Sequence, residues 1–137
     1  MNRRRKAREL ALQMLFQYEF TGQRSDFRAF EDLDPGKEEH REIKQFSEEL
    51  VNGTLTHLEE IDGCIRKAAE HWKMERMASV DRNIMRFAVF EILYRSDIPP
   101  AVSINEALEI AKKYSSSEAA PFINGLLDKI ARDSGEK

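Results

Sequence analysis

From Val80 to Arg95 the chain is apolar on nearly every side: Ile84, Met85, Phe87, Ala88, Val89, Phe90, Ile92, Leu93 and Tyr94 leave no polar face on a helix of that length. A helix without a wet side has to be surrounded by other elements, so this segment predicts the central helix of a core, started by Ser79 as N-cap. The partners that surround it are helical too. Apolar residues return at i, i+3, i+4 and i+7 along most of the chain, and no alternating apolar/polar stretch is long enough for a strand. The fold class is therefore all-α, and 137 residues are enough for one domain, residues 1–137, with a sizeable core.

A first helix is predicted from Arg3 to Phe20, burying Ala7, Leu10, Ala11, Met14, Leu15 and Tyr18 on one stripe. Leu12, Phe16 and Phe20 make a second stripe, which predicts a helix held between neighbours. A short helix is expected at Asp26–Leu33, closed by Asp34-Pro35-Gly36. A long one follows at Glu38–Asp62, interrupted at Gly63 before a segment at Ile65–Trp72. Ile98-Pro99-Pro100 breaks the chain. Ser103-Ile104-Asn105-Glu106 has the form of a capping box opening a helix to Tyr114. A last helix starts between Ser117 and Pro121 and runs to about Ala131, burying Ile123, Leu126, Leu127 and Ile130.

Several function classes lose their footing. No apolar run approaches the roughly 18 residues of a membrane span, and the basic start is followed by no signal-like stretch, so a cytoplasmic location is expected. The single cysteine, Cys64, excludes an internal disulfide and a cysteine-based zinc site. His57, Cys64 and His71 are spaced by seven, roughly 10 Å apart on a helix and too far to share one ion. Nothing matches a phosphate loop, a dinucleotide fingerprint or a nucleophile elbow, and the paired glutamates read as solvated faces. No catalytic residue, metal or cofactor is expected.

Two features remain. The chain carries 22 cations and 25 acids for a net −3, yet Arg3, Arg4, Arg5, Lys6 and Arg8 lie within residues 1–8 with no acid among them, leaving the remainder at −8. Charge alone leaves open a solvated terminus or an anionic partner. The helix dipole opposes so much positive charge at an N-terminus, which favours the partner. Five phosphate contacts on a single strand would give a log–log salt slope of about −3.5. The second feature is Phe122, about 100° from the buried stripe of the last helix, with Gly125 and Lys129 on the same shoulder. Periodicity leaves it open between a core contact and a stacking platform for one unpaired base.

Arg4-Arg5-Lys6-Ala7-Arg8-Glu9 with Ala11-Leu12-Gln13, Val80-Asp81-Arg82 through Phe90-Glu91-Ile92-Leu93, Ile98-Pro99, Ile104-Asn105-Glu106-Ala107, Ala111-Lys112-Lys113 and Phe122-Ile123-Asn124-Gly125-Leu126-Leu127-Asp128-Lys129 together resemble the NusB family of transcription antitermination factors. The likeness is weakest between Gly22 and Met77. It implies about seven helices in two packed bundles and binding of boxA RNA together with the ribosomal protein NusE. It also implies a place in RNA polymerase antitermination complexes, notably on ribosomal RNA operons, and a possible homodimer in the free state. It places RNA contacts on Arg3, Arg4, Arg5, Lys6, Arg8 and Phe122, affinity modulation on Glu118, and the protein partner at Asp81. Pro121 departs from the basic or polar residue expected there. An RNA-binding module related to ribosomal-RNA cytosine methyltransferases and a protein-only scaffold are the alternatives. The RNA reading expects the arginines and Phe122 close together at one rim.

Overall fold

The computed structural model describes residues 2–24 and 29–135. Its six α-helices are α1 (Arg3–Thr21), α2 (Glu38–Thr56), α3 (Leu58–Ala69), α4 (Ser79–Tyr94), α5 (Pro100–Tyr114) and α6 (Ala119–Gly135), with a 3-10 turn at Met74–Arg76. No strand occurs among the described residues. As its sequence requires, α4 is central: it packs on each of the other five helices. One bundle is built on α1 and α2, the other on α3, α5 and α6, and α4 is common to both.

Several boundaries differ from expectation. Among the described residues there are six α-helices rather than about seven. The short helix expected at Asp26–Leu33 falls partly outside the described residues, and Ala29–Asp32 forms turns. The long helix breaks at His57, not Gly63, which lies inside α3. At the break the His57 ring stacks on Tyr94, with centroids 4.0 Å apart, and α3 redirects so that Ile61 and Ile65 are fully buried. Ala78, not Ser79, is the N-cap of α4. The Ser79 hydroxyl instead donates to Glu19 Oε1 at 2.5 Å. The capping box is not formed either. Pro100 opens α5 at its first position, where a missing N–H costs nothing, and places Ser103 inside the helix.

The stripe Ala7, Leu10, Ala11, Met14 and Leu15 is buried, and the Ser47 hydroxyl donates to the Ala7 carbonyl at 2.8 Å across the tight α1–α2 contact. Of the second stripe only Leu12 is buried, and Phe20 is 82% exposed. Gly53 is where α2 meets α4: a Cβ there would lie 2.1 Å from the Phe90 ring.

Charged groups tie the bundles together. Arg8 is buried, its guanidinium donating to both oxygens of buried Glu91 at 2.7 and 2.8 Å, and Glu91 also accepts the Ser103 hydroxyl at 2.7 Å. α1, α4 and α5 therefore meet at one carboxylate. At the other end of α1, Glu19 accepts from Arg82 Nε at 2.7 Å and Arg86 Nη1 at 2.6 Å, while Arg86 also grips Asp62 of α3. The Arg82 hydrogen bond, helped by Ser79 and the nearby charges, outweighs burial and holds the Glu19 carboxyl down at about 2.

Three stability predictions follow from these contacts. Gly53→Ala should cost about 1–3 kcal/mol in denaturant unfolding, most of it recovered when Phe90 is shortened to leucine. Arg8→Met should cost about 3–5 kcal/mol by stranding a buried carboxylate, whereas the Arg8→Met/Glu91→Leu double variant should recover most of the loss. Because the Glu19 carboxyl is depressed in the folded state, its stabilisation is complete above about pH 4.5 and lost as pH falls toward 2. Thermal melts of Glu19→Gln should show a smaller drop than the parent across that interval.

Candidate nucleic-acid interface

Asn2 caps α1, its side-chain oxygen accepting the Arg5 N–H at 2.9 Å, so the basic residues occupy the rigid first turns of a helix. At 100° per residue they fan around the axis and meet different surroundings. Arg3, Arg4 and Lys6 are exposed, and Arg5 is partly so. Arg8 points inward and is spent on Glu91, so four of the five expected contacts face solvent.

Neighbouring helices supply acids that offset the unfavourable dipole. Arg3 pairs with Glu42 of α2. Arg5 makes a two-pronged pair with Glu106 of α5, at 2.9 and 2.7 Å, which holds the Glu106 carboxyl below its ordinary range. Arg4 lies 3.9 Å from Asp97 and lays its guanidinium over the Phe46 ring, 4.4 Å from the centroid. Arg8 and Arg95 approach the same ring at 5.3 Å each. Phe46 is thus both a core residue, as its spacing indicates, and a platform that fixes cations. Arg3, Arg4, Glu42, Gln45, Phe46, Glu49 and Arg95 line one polar cleft. Phe46 and Arg95 were not among the expected site residues, because the contact joins α1, α2 and the end of α4, which are remote in sequence.

The aromatic end is built differently. Phe122, in the first turn of α6, is half-buried, with its ring 6.1 Å from that of Trp72 and tilted by 55°. Trp72, Arg76, Asp81, Ser116, Glu118 and Phe122 are among the residues lining a cleft of about 290 Å³. Phe122, Glu118 and Asp81, to which the resemblance gives three different roles, therefore meet in one place. Glu118 is exposed in the turn before α6, and Pro121 is accommodated within its first turn. Lys129 is engaged by Glu70 at 2.8 Å, two helical turns away from Phe122. Trp72 and Arg76 were missed: α3 ends at Ala69 rather than reaching Trp72, and only folding lays the segment that follows beside Phe122 of α6.

The two ends are not adjacent. Arg4 shares its cleft with Arg95, the C-cap of α4, whereas the aromatic cleft holds Asp81 from the first turn of α4. Asp81 and Arg95 are about 21 Å apart along the helix axis at 1.5 Å per residue. The single rim expected above is instead two patches, one toward each end of α4. A further groove of about 320 Å³ follows α1 and reaches the start of α4, lined by Lys6, Glu9, Gln13, Phe16, Val80 and Tyr114 among others.

Comparison with known proteins agrees with this architecture. The model of the NusB family matches residues 5–132. The chain is 50% identical over 137 residues to a transcription antitermination protein NusB of Desulfitobacterium hafniense, covering 98% of this chain and 91% of that protein. It superposes on NusB of T. maritima with a TM-score of 0.78 at 35% identity, covering 95% and 91% of the two chains. A chain in a solved complex of antitermination factors NusB and NusE with double-stranded RNA matches with a TM-score of 0.77 at 26% identity, covering 97% and 98%. With the family model covering nearly its whole length and half of its residues identical to those of such a relative, this chain belongs to the NusB family.

Proposed function

We propose that this chain is an RNA-binding transcription antitermination factor that holds boxA RNA together with NusE and carries it to RNA polymerase in the cytoplasm, notably on ribosomal RNA operons. The observation that carries the reading is the basic first turn of α1: Arg3, Arg4, Arg5 and Lys6 reach solvent on an otherwise acidic body, anchored by a buried helix. Relatives that match it nearly end to end are antitermination proteins, which supports this reading over an enzyme-appended module.

Arg3, Arg4, Arg5 and Lys6 take phosphates. Arg8 acts through the fold, holding α1 so that its neighbours face outward. Phe122 stacks one base, and Glu118 beside it limits affinity by repelling phosphate. The roughly 21 Å along α4 from Asp81 to Arg95 corresponds to about six nucleotides of stacked strand at roughly 3.4 Å each. Lys129, engaged by Glu70, adds positive potential at the margin. The apolar walls of the groove along α1 suit a protein side chain better than a phosphate, and we assign NusE to it. Val80 faces that groove while Asp81, the next residue, lines the aromatic cleft, so Asp81 sits at the border between partner and RNA.

Four rather than five phosphate contacts set the salt dependence. Fluorescence anisotropy with labelled boxA RNA, with and without NusE, should give a log–log salt slope of about −2.8, so a fourfold rise in salt weakens binding about fiftyfold. Arg4→Ala/Arg5→Ala should reduce the slope to about −1.4. Binding that is insensitive to salt and to both substitutions points to the protein-only scaffold, and methyl transfer to RNA by the isolated chain points to the enzyme module.

A further inference from the structure

Arg82, near the start of α4, lines neither cleft, yet one wall of the aromatic cleft hangs on it. Its Nη1 donates to the carbonyls of Met74 and Met77, at 2.9 and 2.8 Å, the first residue of the 3-10 turn and the residue that closes it. Its Nε donates to Glu19 Oε2 at 2.7 Å, and Nη2 pairs with the other oxygen of that carboxylate, near the end of α1. One planar guanidinium thus ties the turn to two helices. Only 15% of its side chain is exposed and all three of its nitrogens donate inside the protein, so Arg82 has no free fork for a phosphate.

The turn needs such a tie. It follows α3 through Glu70, whose φ of 54° turns the chain away from the helix. Its internal hydrogen bonds, from Trp72 N–H to the Ala69 carbonyl and from Met77 N–H to the Met74 carbonyl, shape the segment without orienting it on the bundle. The apolar anchors are Met74 and Met77, both buried. Methionine is unbranched and flexible, so it fills space without fixing a rotation. Orientation comes instead from the two carbonyls that Arg82 holds. Trp72 and Arg76 ride on this segment and line the cleft, with the Trp72 ring 6.1 Å from that of Phe122. We infer that Arg82 is a positioning residue for RNA binding: Glu19 fixes its guanidinium, which grips the turn and sets where Trp72 and Arg76 stand against α6. Lysine cannot replace it, because an ammonium donates from a single atom and does not span the carboxylate and both carbonyls as a planar fork does.

This inference rests on the RNA-binding reading above and adds a residue that acts on RNA without touching it. The test is a double-mutant cycle on the intact protein with labelled boxA RNA. Arg82→Lys is made in the parent and in a Trp72→Ala/Arg76→Ala background that lacks the wall. In the parent it should weaken RNA about fivefold at an unchanged salt slope, since the charge is kept. In the background without the wall it should cost less than about twofold. Trp72 is the single tryptophan, so acrylamide quenching of its fluorescence reports the segment in the free protein, and Arg82→Lys should raise that quenching. Glu19→Gln loosens the same guanidinium from α1 and leaves the turn intact. It should weaken RNA by about threefold, which keeps the test decisive if the lysine variant melts early. Thermal melting separates lost fold from lost position. An equal loss in both backgrounds, or RNA affinity unchanged by Arg82→Lys and by Glu19→Gln, overturns the positioning role and leaves the RNA-binding function standing. Failure of the parent to bind any RNA removes both.

Discussion

The pairing of Arg8 with Glu91 is the contact on which the rest of the molecule is arranged. Both groups are buried, and each makes sense only with the other: two charges removed from water are tolerated when their geometry is two-pronged and their remaining valences are filled. Ser103 fills one of those on Glu91, and Glu106 lies 3.6 Å from Arg8. This single junction sets the register of α1 against α4 and α5, because a shift of one residue along any of the three would leave a charge alone in the core. Helices bound only by apolar contacts would tolerate such a slip far more easily.

From that junction the charge organisation runs outward. Glu106 touches Arg8 on its inner side and holds Arg5 toward the surface, so the buried pair and the exposed cations belong to one connected network. Phe46 plays a parallel part: its ring belongs to the core, and its faces meet Arg4, Arg8 and Arg95. The basic turn is therefore a rigid array rather than a loose tail. Acids from α2, the segment after α4, and α5 stand against it. A phosphate that replaces one of these surface partners exchanges one ion pair for another, which makes binding sensitive to salt and to the shape of the array more than to net charge.

Separation of the two patches along α4 gives the surface direction. One end is polar and cationic, the other aromatic with an acidic floor, and the groove along α1 is mainly apolar. In the proposed function, a strand that meets both ends runs with phosphates toward Arg4 and a base toward Phe122. Discrimination then comes from spacing as well as from base contacts.

Much of this was legible in the residues alone. The all-round apolar character of α4 made it central, the stripe Ala7–Leu15 anchored α1, and the five cations of residues 1–8 stood out as a basic cluster. These are local patterns, and helical periodicity carries them without knowledge of any neighbour. The local signals at Ser79 and Ser103 misled for an equally physical reason. Helix α4 already includes Ser79, and Pro100 starts α5 three residues before Ser103, so both serines lie inside their helices and donate to Glu19 and Glu91 instead. Likewise no spacing distinguishes Arg8 from Arg4, since a cation's fate depends on which carboxylate it meets across the core. Sequence by itself determined the helices, the central element and the basic turn. Tertiary structure decided which of those cations face water, and that Trp72 and Asp81 close a cleft around Phe122, because both depend on contacts between residues far apart in the chain.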